Sequence, residues 1–165
     1  MHIRTLIFLL LCCFTGEIFA ADVPDSFTIY LVRHAEKQQD GSRDPELTEV
    51  GVARSEKLAG WFVGKNIEKI WSSDYKRTRN TATPILSKLD IDMVLYDPGN
   101  LPELTENLLT QQHNALVIGH SNTTPQLARL LCDCEIADMD ESEHDRLIVI
   151  SVHDGKAEVK TLQQR

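Results

Sequence analysis

The stretch Thr28-Ile29-Tyr30-Leu31-Val32-Arg33-His34-Ala35-Glu36 decides how the chain reads. An apolar, β-branched run ends abruptly in Arg-His. Such a run predicts a buried strand, and its cationic end contributes nothing to packing. In open α/β sheets, ligands sit at the carboxyl ends of the strands. Arginine offers a planar fork that suits phosphate. Histidine is a nitrogen nucleophile or acid/base near neutral pH. The pair therefore suggests that His34 attacks a phosphoryl group held by Arg33.

Outward from this strand, residues 37–46 are polar and read as a loop over the strand end, with Lys37, Ser42 and Arg43 solvated. Thr48 is an N-cap signal, with Glu49 in the first turn of a helix over 50–64. Leu58, Trp61 and Phe62 recur at helical spacing and read as core. A short strand is predicted over 67–71. Ser72-Ser73-Asp74 then ends it and caps a helix over 75–89, in which Pro84 predicts a bend or a restart. A third strand over 92–96 leads through Asp97-Pro98-Gly99-Asn100, a turn signal, into a helix over 101–112 with Pro102 in its first turn.

The fourth strand, 115–118, is closed by Gly119-His120. Ser121-Asn122-Thr123-Thr124-Pro125 reads as a helix start, and that helix runs to Leu131. The acidic stretch 133–145 is predicted as an exposed loop. Two last strands, 147–152 and 157–162, flank the tight turn Asp154-Gly155. Four strand–helix units and a hairpin make an α/β chain: three αβα layers, with helices on both faces of a mainly parallel sheet.

The chain has 165 residues, 42% hydrophobic and 25% charged, which suits one globular domain with a real core. Its formal net charge of −8 argues against nonspecific binding to nucleic acid or anionic membranes. An anionic substrate would need a local positive cluster. Residues 1–4 are basic, 3–14 are apolar and a small-residue stretch follows, the pattern of a secretory signal. The apolar run is shorter than the roughly 20 residues a spanning helix needs. The expectation is a signal over 1–20, a single domain over 21–165, export to the periplasm and no stable membrane insertion after cleavage. Of four cysteines, two leave with the signal. Cys132 and Cys134 then remain as two loop thiols or one local disulfide, without a catalytic role.

Two strands end in histidine, His34 and His120. A third ends in Ser72-Ser73, with Arg77 one turn into the next helix. A parallel sheet puts these ends on one edge. The pocket would hold two arginines, two histidines and a helix N-terminus, all suited to a phosphate dianion.

Arg33-His34-Ala35-Glu36 resembles the Arg-His-Gly/Ala signature of the histidine phosphatase superfamily, also called the phosphoglycerate mutase-like family. Leu47-Thr48-Glu49-x-Gly51, Ser72-Ser73-x-x-x-Arg77-x-x-x-Thr81-Ala82 and Val117-Ile118-Gly119-His120-Ser121-Asn122 match further stretches in the same order. The resemblance implies a phosphoglycerate mutase-like fold with His34 as the nucleophile that becomes phosphohistidine. Arg33, Arg77 and His120 would bind the transferring group, and Asn122 is a further substrate-binding candidate. Glu103 is the proton-donor candidate, with Asp97 and Glu106 behind it. No metal or cofactor is implied.

Between Arg77 and His120 there is room for a strand and one helix but little for a lid. That favours water as acceptor, and so a hydrolase acting on a phosphorylated small molecule or a phosphohistidine-type substrate. A phosphoryl-binding pseudophosphatase and a phosphotransferase or mutase are the alternatives.

Overall fold

Period-two alternation along each strand divides the apolar side chains between two faces of one sheet. The computed structural model describes residues 26–164. The expected signal over 1–20 lies outside the described residues. Strand β1 (Ser26–Arg33) sends Phe27, Ile29 and Leu31 to one face and Tyr30 and Val32 to the other. Strand β4 (Ala115–Gly119) does the same with Ala115 and Val117 against Leu116 and Ile118. Both are buried on both sides, as a parallel sheet between two helical layers requires.

Six strands lie in the order β3-β2-β4-β1-β5-β6. Strands β3 (Met93–Tyr96), β2 (Lys69–Ser73), β4 and β1 run parallel to one another. Strands β5 (Arg146–His153) and β6 (Lys156–Gln163) close one edge antiparallel. Their turn has positive φ at both Asp154 (49°) and Gly155 (72°), the conformation of a two-residue type I′ hairpin.

Helices α1 (Glu49–Phe62) and α2 (Lys76–Leu89) cover one face through Leu58, Ala59, Phe62, Ala82 and Ile85. Helices α3 (Leu101–Gln111) and α4 (Thr123–Cys132) cover the other through Leu101, Leu104, Leu108, Leu127, Ala128 and Leu131. The three-layer α/β expectation therefore holds. Trp61 is only half-buried, with the Lys65 ammonium 4.6 Å from its ring centroid.

Several local expectations change. Helix α2 passes through Pro84 without restarting. Ser72 and Ser73 belong to β2 rather than to a cap, and the residue before α2 is Tyr75, with no side-chain cap bond. Asp44 supplies that service from the distant loop, accepting the Lys76 N–H at 2.9 Å. Asn122 likewise precedes α4 without a side-chain cap bond, and Thr123 Oγ1 instead accepts the His120 N–H at 3.0 Å. Cys132 is the last residue of α4 and is joined to Cys134, which settles the local-disulfide alternative.

The acidic stretch is the largest departure. Its side chains are mostly exposed, but the carbonyl oxygens of Asp140, Glu141 and Glu143 turn inward and accept from Arg33 Nη1 at 3.0, 2.8 and 3.1 Å. A guanidinium buried at the sheet edge needs acceptors, and backbone carbonyls supply them whatever the side chains are.

Candidate active site

Parallel pairing brings the two histidine-tipped strand ends together. Arg33 stands opposite Gly119, and the His34 N–H donates to Gly119 O at 3.0 Å. The rings of His34 and His120 then lie edge to face, with centroids 5.5 Å apart. Strand β2 lies on the far side of β4 and brings Ser73 to His120 Nε2 at 2.9 Å. Arg77, in the first turn of α2, reaches His120 Nδ1 with Nη2 at 3.4 Å. Its guanidinium carbon sits 4.3 Å from the Tyr75 ring centroid, and that ring stands edge-on to His120 at 5.2 Å. Tyr75 thus holds both partners in place, a role its sequence position did not signal.

Two spacings in the sequence acquire structural reasons. Thr81 is one turn beyond Arg77. Its hydroxyl donates to Arg77 O at 2.7 Å and accepts the Ala35 N–H at 3.0 Å, tying α2 to the residue after His34. Thr48 donates its N–H to Glu36 O at 2.9 Å and caps Gly51 N at 3.1 Å. Gly51 presses on the same backbone: a Cβ there would stand 2.2 Å from Glu36 O. Arg54 then grips both carboxylate oxygens of Glu36 at 2.6–3.0 Å. The Thr48-Glu49-x-Gly51 motif locks α1 to the strand end and does not touch the cluster.

Hydrogen bonding fixes the tautomers. His34 is 2% exposed, and its Nδ1 lies 2.7 Å from Ala35 O, a pure acceptor, so Nδ1 carries the proton and Nε2 the lone pair. Burial pushes the His34 pKa down to about 3; the Ala35 carbonyl opposes this, and Arg33, His120 and Arg77 add to it. His120 accepts from Arg77 at Nδ1 and donates from Nε2 to Ser73, which passes a hydrogen bond to Thr78 Oγ1 at 3.1 Å. Burial first, then Arg77 and Arg33, pushes the His120 pKa down to about 4. Both imidazoles are neutral near pH 7 in the free protein.

The arginines are asymmetric. Arg33 is 3% exposed; its Nη1 is consumed by loop carbonyls and its Nη2 meets Glu141 Oε2 at 2.9 Å. Arg77 has Asp44 3.7 Å from Nη1. The buried Nε–H groups of both arginines have no partner among the described residues. An unmet buried donor is costly. Two of them beside two neutral imidazoles form a cradle for an oxyanion.

The structure brings Arg33, His34, Arg77 and His120 together. It does not bring Glu103 into hydrogen-bonding contact with them: Glu103 accepts from Asn100 Nδ2 at 2.8 Å and lines a separate cleft with Trp71, Tyr96 and Asp97. Asn122 faces a different cleft, beside Ser121 and Glu141. Ser42 bonds within its own loop, accepting the Asp44 N–H at 3.1 Å. Two residues at the cluster carried no recognisable signal. His144 donates from Nδ1 to His34 O at 3.0 Å, with its ring centroid 5.9 Å from that of His34. Glu141 joins Arg33 to the Ser121 hydroxyl.

Comparisons with known proteins agree with this geometry. Residues 29–99, which carry β1 to β3 with α1 and α2, match the model of the histidine phosphatase superfamily (branch 1). The chain is similar in fold to the protein histidine phosphatase SixA solved with tungstate, at a TM-score of 0.70 and 19% identity over 84% of this chain and 97% of that one. It is also similar to a mycobacterial glucosyl-3-phosphoglycerate phosphatase (TM-score 0.65, 12% identity, 84% and 98% covered). A mycobacterial hydrolase matches at a TM-score of 0.69 and 12% identity, with 85% and 99% covered. No curated protein sequence matches significantly. The fold is the histidine phosphatase fold, and the superfamily model matches the part of it that carries β1 to β3.

Proposed function

We propose that this protein is a phosphatase that works through a phosphohistidine on His34. The observation that carries this reading is a buried, neutral imidazole whose Nδ1–H is fixed on Ala35 O, beside two guanidinium groups with unmet Nε–H donors. His34 Nε2 attacks phosphorus, a P–N bond forms, and the bond to the leaving oxygen or nitrogen breaks. Water then attacks phosphorus, the P–N bond breaks and inorganic phosphate leaves. Splitting one displacement into two lowers each barrier. Arg33, Arg77 and His120 stabilise the equatorial oxygens in a desolvated pocket, where such charges act strongly. A bound dianion also raises the pKa of His120 toward the range where it donates a second proton.

Glu141, the carboxylate on Arg33, has its pKa lowered by the Ser121 hydrogen bond first and then by Arg33, and Glu103 bonds elsewhere. A site without a strong proton donor suits leaving groups that depart readily, such as the nitrogen of a phosphoramidate or phosphohistidine. Water is the acceptor in this reading, and a pure phosphoryl-binding role would not require a desolvated nucleophile. Export by the 1–20 segment, with function in the periplasm, belongs to the same proposal and rests on the sequence pattern alone.

The test is a rapid-quench experiment with labelled phosphoramidate and a labelled phosphomonoester. Wild type should carry an alkali-stable, acid-labile label on His34 during turnover. His34→Ala should be folded, unlabelled and inactive. Turnover by the variant at the wild-type rate would overturn the proposal.

A further inference from the structure

Beside the cradle, between the start of α4 and the loop that fastens Arg33, lies a cleft of about 550 Å³. Ser121, Asn122, Gln126, Arg129, Asp138 and Glu141 line it. Glu141 connects this cleft to the Arg33 guanidinium of the cradle. One Glu141 carboxylate oxygen is on Arg33 Nη2 at 2.9 Å, and the other accepts from the Ser121 hydroxyl.

The charge of the cleft follows from its pairings. Arg129 is spent on Asp138 and on Ile136 O. Those two charges cancel, and the charge that remains on the cleft wall is the exposed carboxylate of Glu141, whose ion-pair partner Arg33 is buried behind it. Its side chain is 79% exposed, so it faces incoming ligands rather than the interior. The Ser121 hydrogen bond first, and then Arg33, lower its pKa, so it stands as an anion rather than as a resident acid. Arg33 is already saturated at Nη1 by three carbonyl groups. Glu141 is therefore not needed to hold that guanidinium in place.

We propose that Glu141 is a specificity-determining residue: it makes the Ser121–Glu141 cleft a leaving-group subsite for groups with a cationic or N–H-donating nitrogen, and turns away leaving groups that carry a carboxylate. Like charges brought together in the cleft repel, whereas an ammonium or imidazolium gains an ion pair with Glu141, an effect that solvent moderates at so exposed a carboxylate. Ser121 keeps the carboxylate turned toward the phosphoryl position. The proposal rests on the phosphatase reading for the location of the phosphoryl group, but the selection itself is a property of binding.

The experiment uses two phosphonates that cannot be hydrolysed. 2-Aminoethylphosphonate and 2-carboxyethylphosphonate have the same two-carbon arm and differ in its terminal charge. Each is titrated calorimetrically into wild type and Glu141→Gln at low ionic strength. Wild type should bind the amino compound on the order of tenfold more tightly. The Gln variant should lose that preference, mainly by binding the carboxy compound better. The preference in wild type should shrink as salt is added. Equal affinities in wild type, or a preference unchanged in Glu141→Gln, would overturn the proposal. Failure to bind either phosphonate would overturn both this and the phosphoryl cradle. Selective binding without turnover of any phosphoester or phosphoramidate would defeat the phosphatase reading and leave the selection standing.

Discussion

Arg33 pairs with Gly119 across the parallel ladder of β1 and β4, and the next peptide along, His34 N–H to Gly119 O, extends that ladder by one bond of 3.0 Å. A parallel register of this kind makes the two strands end together. The two imidazoles must then emerge side by side, and no loop needs to fold to bring them together. Side chains placed by a sheet keep their geometry better than side chains placed by loops, which suits chemistry that consists mostly of positioning and fixed charge.

His120 is held by Ser73 on one nitrogen and Arg77 on the other, so it is already oriented when substrate arrives. His120→Ala should lower kcat/KM by about 10²–10³-fold, the usual cost of one preorganised donor. Steady-state kinetics with a phosphoramidate would show it. A loss below threefold would mean that His120 does not face the transferring group.

Arg33 and Arg77 should fail differently when replaced by lysine. Arg33 ties the 140–143 backbone to the strand end through three carbonyl bonds, whereas among the described residues Arg77 makes no comparable set. Both substitutions remove the planar fork and should cost activity. Only Arg33→Lys should also lower the melting temperature and speed amide exchange around Glu143, whose N–H bonds to Asp140 O. Equal stability losses in both variants would contradict the division of labour seen here.

Much of this site was legible in the sequence because its parts sit at strand ends, where periodicity stops and a polar residue has no packing reason to be. Arg33, His34 and His120 were found that way, and Arg77 from its place one turn into the following helix. His144 and Glu141 were not, because they lie in an acidic stretch that looks like any solvated loop. What ties that stretch down is a set of carbonyl groups, and carbonyls leave no mark on side-chain composition. The misplaced caps have a similar cause: Ser, Thr and Asn at strand–helix junctions were read as local caps, while Ser73 and Thr123 bond to His120 instead. Glu103 matched by position in the chain, but position along a helix does not say which cleft its carboxylate enters.

Gly51 and Gly60 lie on the same helix and should respond oppositely to alanine. A Cβ at position 51 would stand 2.2 Å from Glu36 O, a backbone atom that cannot move aside cheaply, whereas nothing lies within 4 Å at position 60. Gly51→Ala should destabilise by about 1–3 kcal/mol through forced backbone shifts. Gly60→Ala should stabilise by up to about 1 kcal/mol through helix propensity. Urea denaturation of both variants provides the comparison, and a neutral Gly51→Ala would show that α1 does not press on the strand end as described.

Burial of two neutral histidines should make the free protein lose stability on mild acidification. Folding lowers His34 to about 3 and His120 to about 4, both from an ordinary 6.5. The unfolded chain then takes up protons that the folded one refuses. The stabilisation is complete above pH 6.5 and drains away as the pH falls toward those two values. Between pH 7 and 5 most carboxylates have not begun to titrate, so the histidines dominate the slope. Near pH 5.5 it should approach about 2 kcal/mol per pH unit for the pair, and His34→Asn should remove roughly half of it. Urea midpoints measured at intervals across that range, in phosphate-free buffer, would reveal the slope. Added inorganic phosphate should flatten it, because a bound dianion favours protonated His120 in the folded state. A midpoint that stays level from pH 7 to pH 5 in wild type would show that the two imidazoles are not held neutral in the folded protein.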